Sequence, residues 1–569
     1  MNYIEQALIN FGNYAWGMPL LVLLIGGGSF FMIYSRFLPF KYFGHAINIL
    51  RGKYDDPNDP GEISHYQALS GAIAATVGMG NISGVAVAIM MGGPGALVWM
   101  WLSALVGVAT KFFTCSLAVM YRGKDSEGNL QGGPMYVIME GMGKQCKPLA
   151  ILFVVAGMFG VLPVFQANQL TEIVRELVLI PYGITGEDHF LSDLMTGIVI
   201  VSIVSIVTFG GLKRIATVAG QLVPLMILVY IVAVSYIILS NLSDVPASFG
   251  LIFSDAFSGD AILGGALGAL IVAGVRRAAF SNEAGIGNAP MMHGAAKTNE
   301  PIREGLVAML GPAIDTIIVC TMTALAILIT GTWEPQIIEG KAYTMEIRAN
   351  KIQEEGQEKV VAEIYLVKNP NAEPGSITTS ITSEVPLTLS SGLDLQKSIG
   401  ENNIKIKVEG ADNIALVSSV AETAIVLNIS QAIGADAQPS PNEFIIKEDR
   451  SRGIAVTAAA FNNSIPYFGG WILTICVIIF ALTTMFSMSY YGQKCFSFLF
   501  GAKYKGYYTY FFVATIIFGA VASIQAVISL IDGMYATMAV PTMVSALYLS
   551  PKVSAAAKDY FKRMKEKQI

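Results

Sequence analysis

Apolar stretches of about 20 residues recur along nearly the whole chain, and this repetition constrains the fold more than any other feature. Apolar side chains make up 53% of the 569 residues and charged side chains only 14%, whereas soluble domains contain roughly 25% charged residues. A helix of about 20 apolar residues can cross the hydrocarbon core of a bilayer, which is about 30 Å thick. We therefore expect an all-α polytopic membrane protein and no enzyme.

The apolar stretches predict eleven membrane spans. They lie near residues 18–35, 66–88, 97–120, 149–174, 194–209, 215–239, 259–295, 305–330, 467–493, 508–530 and 533–549. The seventh is too long, and too interrupted by glycine and charge, to form one plain helix. The N-terminus lacks the pattern of a removable signal peptide, so the first stretch is expected to remain as an anchor.

Lys and Arg concentrate in one set of alternate short connections and in the C-terminal tail, and the opposite short connections contain only Arg175. Basic residues accumulate on the cytoplasmic side of membrane proteins. The sequence therefore predicts an N-terminus outside the cell and a C-terminus in the cytoplasm, with the lipid bilayer as the surroundings. The net charge of −5 and the scattered basic residues make nucleic acid an unlikely partner.

Between residues 332 and 462 the composition changes from apolar to charged and rich in Ser and Thr. Alternating stretches such as residues 403–409 (NIKIKVE) favour β-strands. We expect an inserted, β-rich extracytoplasmic domain at 332–462, between membrane parts at 1–331 and 463–569, that could contact a protein partner. A disordered acidic loop is the alternative.

Two of the spans contain the same interruption. Gly78-Met79-Gly80-Asn81 lies in the second span and Gly285-Ile286-Gly287-Asn288 in the seventh. Glycine disfavours a helix by about 1 kcal/mol relative to alanine, and broken membrane helices are tolerated only where protein or a cavity satisfies the backbone. Close helix packing would also explain one such motif, but its recurrence favours two broken helices.

Glycine breaks at corresponding positions in two halves are typical of inverted-repeat transporters that bind their substrate at the bilayer midplane. Five spans begin with the second and five with the seventh, and the two sets have opposite predicted orientations. The expected architecture is thus a five-plus-five inverted repeat preceded by one extra N-terminal helix.

Broken helices offer backbone groups to a ligand with two charges. N–H groups at the start of a half-helix attract anions, and carbonyl groups at the end of one attract cations. The N–H groups of residues 79–81 could therefore receive a carboxylate, and the carbonyl groups of Ala74 and Val77 could face a sodium ion. A zwitterionic amino acid and sodium need these two surfaces.

Several motifs in the membrane portion resemble the alanine/glycine:cation symporter family. They are residues 71–82 (GAIAATVGMGNI), 92–96 (GGPGA), 132–136 (GGPMY), 280–285 (FSNEAG), 306–311 (LVAMLG), 483–484 (TT) and 489–492 (SYYG). The resemblance covers essentially the whole membrane portion, with the insert 332–462 outside it. It implies a leucine-transporter-type fold and sodium-coupled, in some members proton-coupled, uptake of small amino acids through the plasma membrane of a prokaryote.

The resemblance also implies site residues and no cofactor beyond the coupling ion. Substrate would contact Thr76, Gly78, Met79, Gly80, Asn81, Phe165, Gln166, Phe280, Ser281, Asn282 and Met488. Sodium would lie among Ala74, Val77, Phe480, Thr483 and Thr484. Threonines in membrane helices often donate back to carbonyl groups of their own helix, and this is the structural alternative for Thr483 and Thr484.

The chain departs from the family at Met488, where members commonly have Trp. Methionine is unbranched and adaptable, so we expect a pocket that accepts an amino acid larger than alanine, with glutamine the leading candidate.

Charged residues at membrane depth are functional candidates because their insertion is costly. Arg277 and Glu283 flank the second break and could pair to hold it, either for coupling or as an internal salt bridge without contact to ligand. Asp315 and Glu283 are the expected proton carriers if coupling uses protons.

Other functional classes lack support in the sequence. Phosphate-binding and zinc-protease motifs are absent, and the four histidines do not have metal-ligand spacing. An amino-acid-gated channel or sensor is the remaining alternative to a transporter, but a pore would need repeated rings of carbonyl or charged groups.

Overall fold

The computed structural model describes residues 3–180, 182–185, 189–257, 266–333, 453–522 and 525–566, together with five short stretches at 343–354, 357–368, 385–388, 426–428 and 445–447. The chain divides into two compact units. The larger unit is Met1–Gly331 with Gly453–Ile569, and the smaller is Thr332–Arg452.

The N-terminal part of the larger unit is almost entirely helical. Its helices are α1 (Tyr3–Ala15), α2 (Met18–Tyr34), α3 (Leu38–Lys41), α4 (Phe43–Leu50), α5 (His65–Thr76), α6 (Met79–Gly92), α7 (Ala96–Met120), α8 (Pro134–Tyr136), α9 (Lys147–Gly160), α10 (Val164–Val174), α11 (Phe190–Thr208), α12 (Gly211–Ser240) and α13 (Val245–Ala256). A ribbon of two short strands, β1 (Gly123–Lys124) and β2 (Leu130–Gln131), follows α7. Shorter helical turns are π-helical at Val137–Met142 and Arg175–Leu179 and 3₁₀-helical at Lys144–Cys146 and Leu242–Asp244.

The rest of the larger unit is helical as well. Its helices are α14 (Ala266–Asn282), α15 (Asn288–His293), α16 (Pro301–Ala308), α17 (Leu310–Pro312), α18 (Thr321–Ile329), α19 (Gly453–Ser464), α20 (Gly469–Phe500), α21 (Lys505–Val521) and α22 (Gln525–Lys565). A π-helical segment, Ala313–Cys320, joins α17 to α18, and a 3₁₀ turn, Ala502–Tyr504, precedes α21.

Within the described residues, eight helices are long and apolar enough to cross a membrane, or up to nine if the bent pair α5 and α6 forms one span. This confirms an all-α polytopic membrane protein. Two of the eleven predicted spans fall short of the required length. The seventh is divided between α14 and α15, with residues 258–265 outside the described part, and α21 has only 17 residues. The number eleven and the inverted repeat stay predictions.

Helix α7 is the most buried of these candidate spans, because 89% of its apolar 18-residue stretch lies inside the protein. It packs against α2, α14 and α16. Glycine permits the approach of α2, because a Cβ atom at Gly28 would lie 2.8 Å from the Thr110 hydroxyl. Helix α5 packs against α12 and α20 and is buried along nearly its whole length. The end of α5, where the first break was expected, therefore lies inside protein.

In the smaller unit the described residues form antiparallel strands. Strand β3 (Tyr343–Glu354) pairs with β4 (Gln357–Lys368), and β4 also pairs with β5 (Val385–Thr388). Strand β6 (Val426–Asn428) pairs with β7 (Ile445–Lys447). Residues 403–409 lie outside the described part, and a β-rich domain at 332–462 stays a prediction. Helix α19 begins within that predicted range but belongs to the larger unit.

Candidate functional site

The first break lies between α5 and α6, which end at Thr76 and begin at Met79. Val77 between them is extended, with φ −75° and ψ 98°, and the two helices meet at a bend of 42°. A helix that stops in this way leaves its last carbonyl groups without helical partners. The predicted interruption of the second span is confirmed.

Gly78 is needed in this break because another helix approaches it closely. A Cβ atom at Gly78 would lie 2.8 Å from Thr484 Oγ1 of α20. The Gly78 N–H donates to Asn81 Oδ1 at 2.9 Å, so the Asn81 side chain holds the turn that starts α6. The Asn81 N–H also donates within this turn, to the Gly78 carbonyl at 3.1 Å.

The residues expected around sodium divide into two groups. Thr484 Oγ1 donates to the Ala74 carbonyl at 3.0 Å, from α20 across to the end of α5. Thr483 Oγ1 instead donates to the carbonyl groups of Ile479 and Phe480 in its own helix, at 2.9 and 3.0 Å. Thr484 thus contacts the broken helix, whereas Thr483 and Phe480 have the arrangement common for threonine in membrane helices.

The second break lies between α14 and α15. Glu283, Gly285 and Gly287 all have positive φ values, of 53°, 90° and 116°, so the chain leaves the right-handed helix here. A Cβ atom at Gly287 would lie 2.5 Å from both Phe153 and the Thr542 hydroxyl, which excludes larger residues. The predicted interruption of the seventh span is confirmed as well.

A buried polar cluster joins the two breaks. Asn81 Nδ2 donates to Asp315 Oδ1 at 2.8 Å and to Ser281 Oγ at 3.1 Å, and Ser281 Oγ donates to Asp315 Oδ2. Thr316 Oγ1 donates to Asp315 at 2.8 Å and accepts from Asn282 Nδ2 at 3.2 Å. Asp315 and Thr316 belong to the π-helical segment, a feature often found at functional sites.

Gln166 of α10 and Met488 of α20 lie side by side, as the resemblance implied. Gln166 Nε2 donates to Met488 Sδ at 3.5 Å. Gln166 Oε1 is buried and has no hydrogen-bond partner among the described residues, and Phe165 beside it is half-buried. Thioether sulfur is a weak acceptor, so both ends of this amide remain available to a polar ligand.

Phe280, just before the second break, lies in an aromatic stack. Its ring stacks on Trp16 with centroids 4.3 Å apart and on Tyr535 with centroids 5.8 Å apart. Trp16 is 1% exposed, and its indole N–H donates to the Asp532 carbonyl at 3.0 Å. The N-terminal segment before α2 therefore helps to position Phe280, which the family resemblance predicts to contact substrate.

The expected pairing of Arg277 with Glu283 does not occur among the described residues. Arg277 interacts electrostatically with Asp532 and with the neighbouring Arg276, whereas Glu283 accepts from the Tyr535 hydroxyl. The backbone leaves the right-handed helix at Glu283, where φ is positive, and there the carboxylate meets the Tyr535 hydroxyl and not the Arg277 guanidinium. Both residues still lie beside the second break.

Sequence reasoning missed a buried network at the N-terminal ends of α5 and α16. The two carboxylate oxygens of Glu304 contact Nδ1 of His65 and Nδ1 of His293. All three residues are at most 1% exposed. A histidine directly before the second span was a usable signal, but nothing in the sequence pairs it with a residue 239 positions away.

Comparison with protein families matches residues 1–368 and 413–569 to the sodium:alanine symporter family. The chain belongs to this family. It is therefore a membrane transporter and no enzyme, and the resemblance read from the sequence is confirmed. The expectation that all of 332–462 lies outside the family was wrong, because the match extends into this range from both sides and leaves out only residues 369–412.

Three relatives illustrate the range of the family. The sodium/alanine symporter AgcS of Methanococcus maripaludis is 32% identical over 97% of both chains. A probable sodium/glutamine symporter of Bacillus subtilis, GlnT, is 34% identical over 60% of this chain and 70% of its own. A putative sodium/proton-dependent alanine carrier of the same organism, YrbD, is 37% identical over 58% of this chain and 66% of its own.

Proposed function

We propose that this chain is a sodium-coupled symporter that carries a small neutral amino acid across the membrane by alternating access. The contact between Thr484 and Ala74 at the first break carries the proposal. A hydroxyl and a free helix-end carbonyl are hard oxygen ligands, which suit sodium. When the ion takes both oxygens as ligands, it replaces their mutual hydrogen bond and joins α5 to α20.

The substrate is proposed to lie beside this ion. The N–H groups of Met79 and Gly80 at the start of α6 would receive its carboxylate, since the Asn81 N–H already donates to the Gly78 carbonyl. Gln166 Oε1 has no partner among the described residues and would accept from its ammonium group. Met488 in place of the usual Trp leaves room for a side chain larger than alanine, and glutamine is the leading candidate.

Coupling follows from the break itself. Sodium at Ala74 and Thr484 would fix the backbone of residues 74–81, where the substrate carboxylate binds, so each ligand would raise the affinity for the other. Such coupling free energies are typically about 1–3 kcal/mol. One repeat-derived bundle of the five-plus-five core would then rock against the remaining helices and open the site to the other side.

The proposal includes a place and an orientation. We place the chain in the plasma membrane of a prokaryote, with the N-terminus outside and the C-terminus in the cytoplasm. Lys and Arg concentrate in one set of alternate short connections and in the C-terminal tail, and basic residues accumulate on the cytoplasmic side. The insert 332–462 would then be extracytoplasmic, where it could contact a protein partner.

Proton coupling is the second candidate. Glu283 and Asp315 are buried carboxylates beside the second break, and the relative YrbD is named for both sodium and protons. An amino-acid-gated channel has less support, since the two broken helices are typical of carriers.

Reconstitution in liposomes separates these functions. We expect labelled alanine or glutamine to accumulate under an inward sodium gradient, and unlabelled amino acid inside to accelerate entry of label by counterflow. Accumulation driven by a proton gradient in the absence of sodium would show that protons, and not sodium, are the coupling ion. Entry that follows the amino acid gradient alone, without counterflow, would indicate a channel and overturn the proposal.

A further inference from the structure

Three buried oxygen atoms at or near the second break have no hydrogen-bond partner among the described residues. They are Glu283 Oε2, Asn288 Oδ1 and the Tyr491 hydroxyl. Their residues are 2%, 0% and 0% exposed. A buried polar atom without a partner loses its hydration without compensation, so three such atoms near one break point to a ligand that satisfies them.

Tyr535 brings two of these groups together. Its hydroxyl donates to Glu283 Oε1 and accepts from Asn288 Nδ2 at 3.0 Å. The carboxylate and the amide are therefore fixed on the same hydroxyl, and each keeps its second oxygen unused. Carboxylate and amide oxygens are among the ligands that hard cations bind in proteins.

The third group comes from α20. Tyr491 interacts electrostatically with both Glu283 and Tyr535. The neighbouring Tyr490 hydroxyl donates to the Met291 carbonyl at 3.4 Å, and Lys494 Nζ donates to the same carbonyl at 3.0 Å. Helix α20 is thus packed onto α15 at the level of Tyr490 and Lys494, and Tyr491 follows Tyr490 directly in the chain.

The charges around the break point to a cation. Lys111 of α7 interacts electrostatically with both Glu283 and Asp315, so one ammonium group lies within electrostatic range of two carboxylates. Asp315 accepts on both of its oxygens, whereas Glu283 has an oxygen left over. With both carboxylates ionised, Glu283, Asp315 and Lys111 together carry one net negative charge, and a buried charge without a partner is costly.

We propose that Glu283 Oε2, Asn288 Oδ1 and the Tyr491 hydroxyl form a second sodium site at the second break. All three are hard oxygen ligands that suit this cation, and one of them supplies the compensating charge. The site is distinct from the one proposed at Ala74 and Thr484. The inference rests on the proposed function and adds to it a second coupling ion for each amino acid.

Two other occupants satisfy fewer of these observations. A proton on Glu283 would neutralise its charge and could donate to Asn288 Oδ1, but it would leave the Tyr491 hydroxyl without a partner. A water molecule could reach all three oxygens but would leave the charge uncompensated. Sodium accounts for the oxygens and for the charge.

Parallel fluxes of labelled sodium and labelled alanine into liposomes test the proposal, with potassium replacing sodium to keep ionic strength constant. We expect about two sodium ions for each alanine in the native protein and about one in Tyr491→Phe, which removes one ligand oxygen and keeps the ring. Tyr490→Phe is the matched control. Its hydroxyl already has partners, so the native ratio should persist.

Sodium binding measured without transport distinguishes loss of the site from a general loss of transport activity. Sodium chloride without amino acid should raise the melting temperature of the purified native protein more than that of Tyr491→Phe or Glu283→Gln, relative to potassium chloride. Tyr490→Phe should respond as the native protein does.

Two results would overturn the second site. One is an unchanged ratio and an unchanged sodium response in both Tyr491→Phe and Glu283→Gln. The other is proton entry with alanine, detected by a pH-sensitive dye, that disappears in Glu283→Gln while a single sodium remains. Failure of the proposed function looks different, because the native protein would then show no sodium-driven alanine uptake at all.

Discussion

The Thr484 hydroxyl donates to the Ala74 carbonyl at 3.0 Å across 410 positions of the sequence. This bond connects α20 to the end of α5, where the helix stops and its carbonyl groups have no helical partners. Gly78 allows the approach, since any side chain there would meet the same hydroxyl. Ion binding and the geometry of the first break are therefore expected to depend on the same two oxygens.

Thr484→Ala should weaken sodium dependence because it removes one of the two proposed ligand oxygens. A hydrogen-bonding group of this kind contributes about 0.5–1.5 kcal/mol, so we expect the sodium concentration for half-maximal alanine uptake to rise up to about tenfold. Sodium titration of uptake at constant ionic strength measures it.

Thr483→Ala is the matched control for this variant. The Thr483 hydroxyl donates to carbonyl groups of its own helix, so its loss should leave the sodium requirement close to that of the native protein. Equal shifts in both variants, or a loss of Thr484→Ala protein in step with its activity, would assign Thr484 a structural role.

Gly78→Ala should abolish transport. Its Cβ atom would lie 2.8 Å from Thr484 Oγ1, which forces α20 and the break apart. Gly44→Ala in α4 is the control, because a Cβ atom there meets nothing within 4 Å. Adding Thr484→Ala to Gly78→Ala should recover part of the melting temperature without recovering sodium dependence. A Gly78→Ala protein with native uptake would contradict the close approach.

Both breaks could be predicted because a short sequence motif indicates each of them. Each carries a Gly-x-Gly-Asn motif inside an apolar stretch, and the lipid environment permits such an interruption only where protein surrounds it. The proximity of Gln166 and Met488 could be predicted as well, although only through the family resemblance. Helical periodicity alone does not bring α10 next to α20.

Other parts of the site could not be predicted, because they depend on how helices rotate and pack. The adjacent hydroxyls of Thr483 and Thr484 donate to different partners, and because both residues are threonines their residue type does not distinguish them. Trp16 lies before the first apolar stretch, so nothing local links it to Phe280. The contact of Glu283 with Tyr535 and not with Arg277 also depends on the positive φ of Glu283, which the sequence does not reveal.

Met488→Trp should shift substrate preference toward small amino acids. The indole is larger and more rigid than methionine and would occupy space next to Gln166, so glutamine uptake should fall more than alanine uptake. Met488→Leu, which keeps an aliphatic side chain of similar volume, is the control and should preserve the native preference. Competition between labelled alanine and unlabelled glutamine measures the change. An unaltered ratio in Met488→Trp would remove the argument that Met488 sets pocket size.

Glu304→Gln should destabilise the protein far more than Glu300→Gln, although Glu304 lies in α16 and Glu300 directly precedes that helix. Glu304 is fully buried and accepts from two histidines, so the amide would leave an imidazole N–H without its acceptor, and breaking a buried charged network typically destabilises by about 3–5 kcal/mol. Glu300 is partly exposed and pairs with Arg563 at 2.6 Å, where an ion pair contributes about 0–1 kcal/mol.

The melting temperatures of the two purified variants measure this difference. Because His65 begins α5 and His293 ends α15, the network ties both broken helices to α16. Glu304→Gln should therefore also destabilise the start of α5 and the end of α15. Amide hydrogen exchange around His65 and His293 should then be faster in Glu304→Gln than in Glu300→Gln. Equal melting temperatures and equal exchange in the two variants would mean that the buried carboxylate is not what holds these ends together.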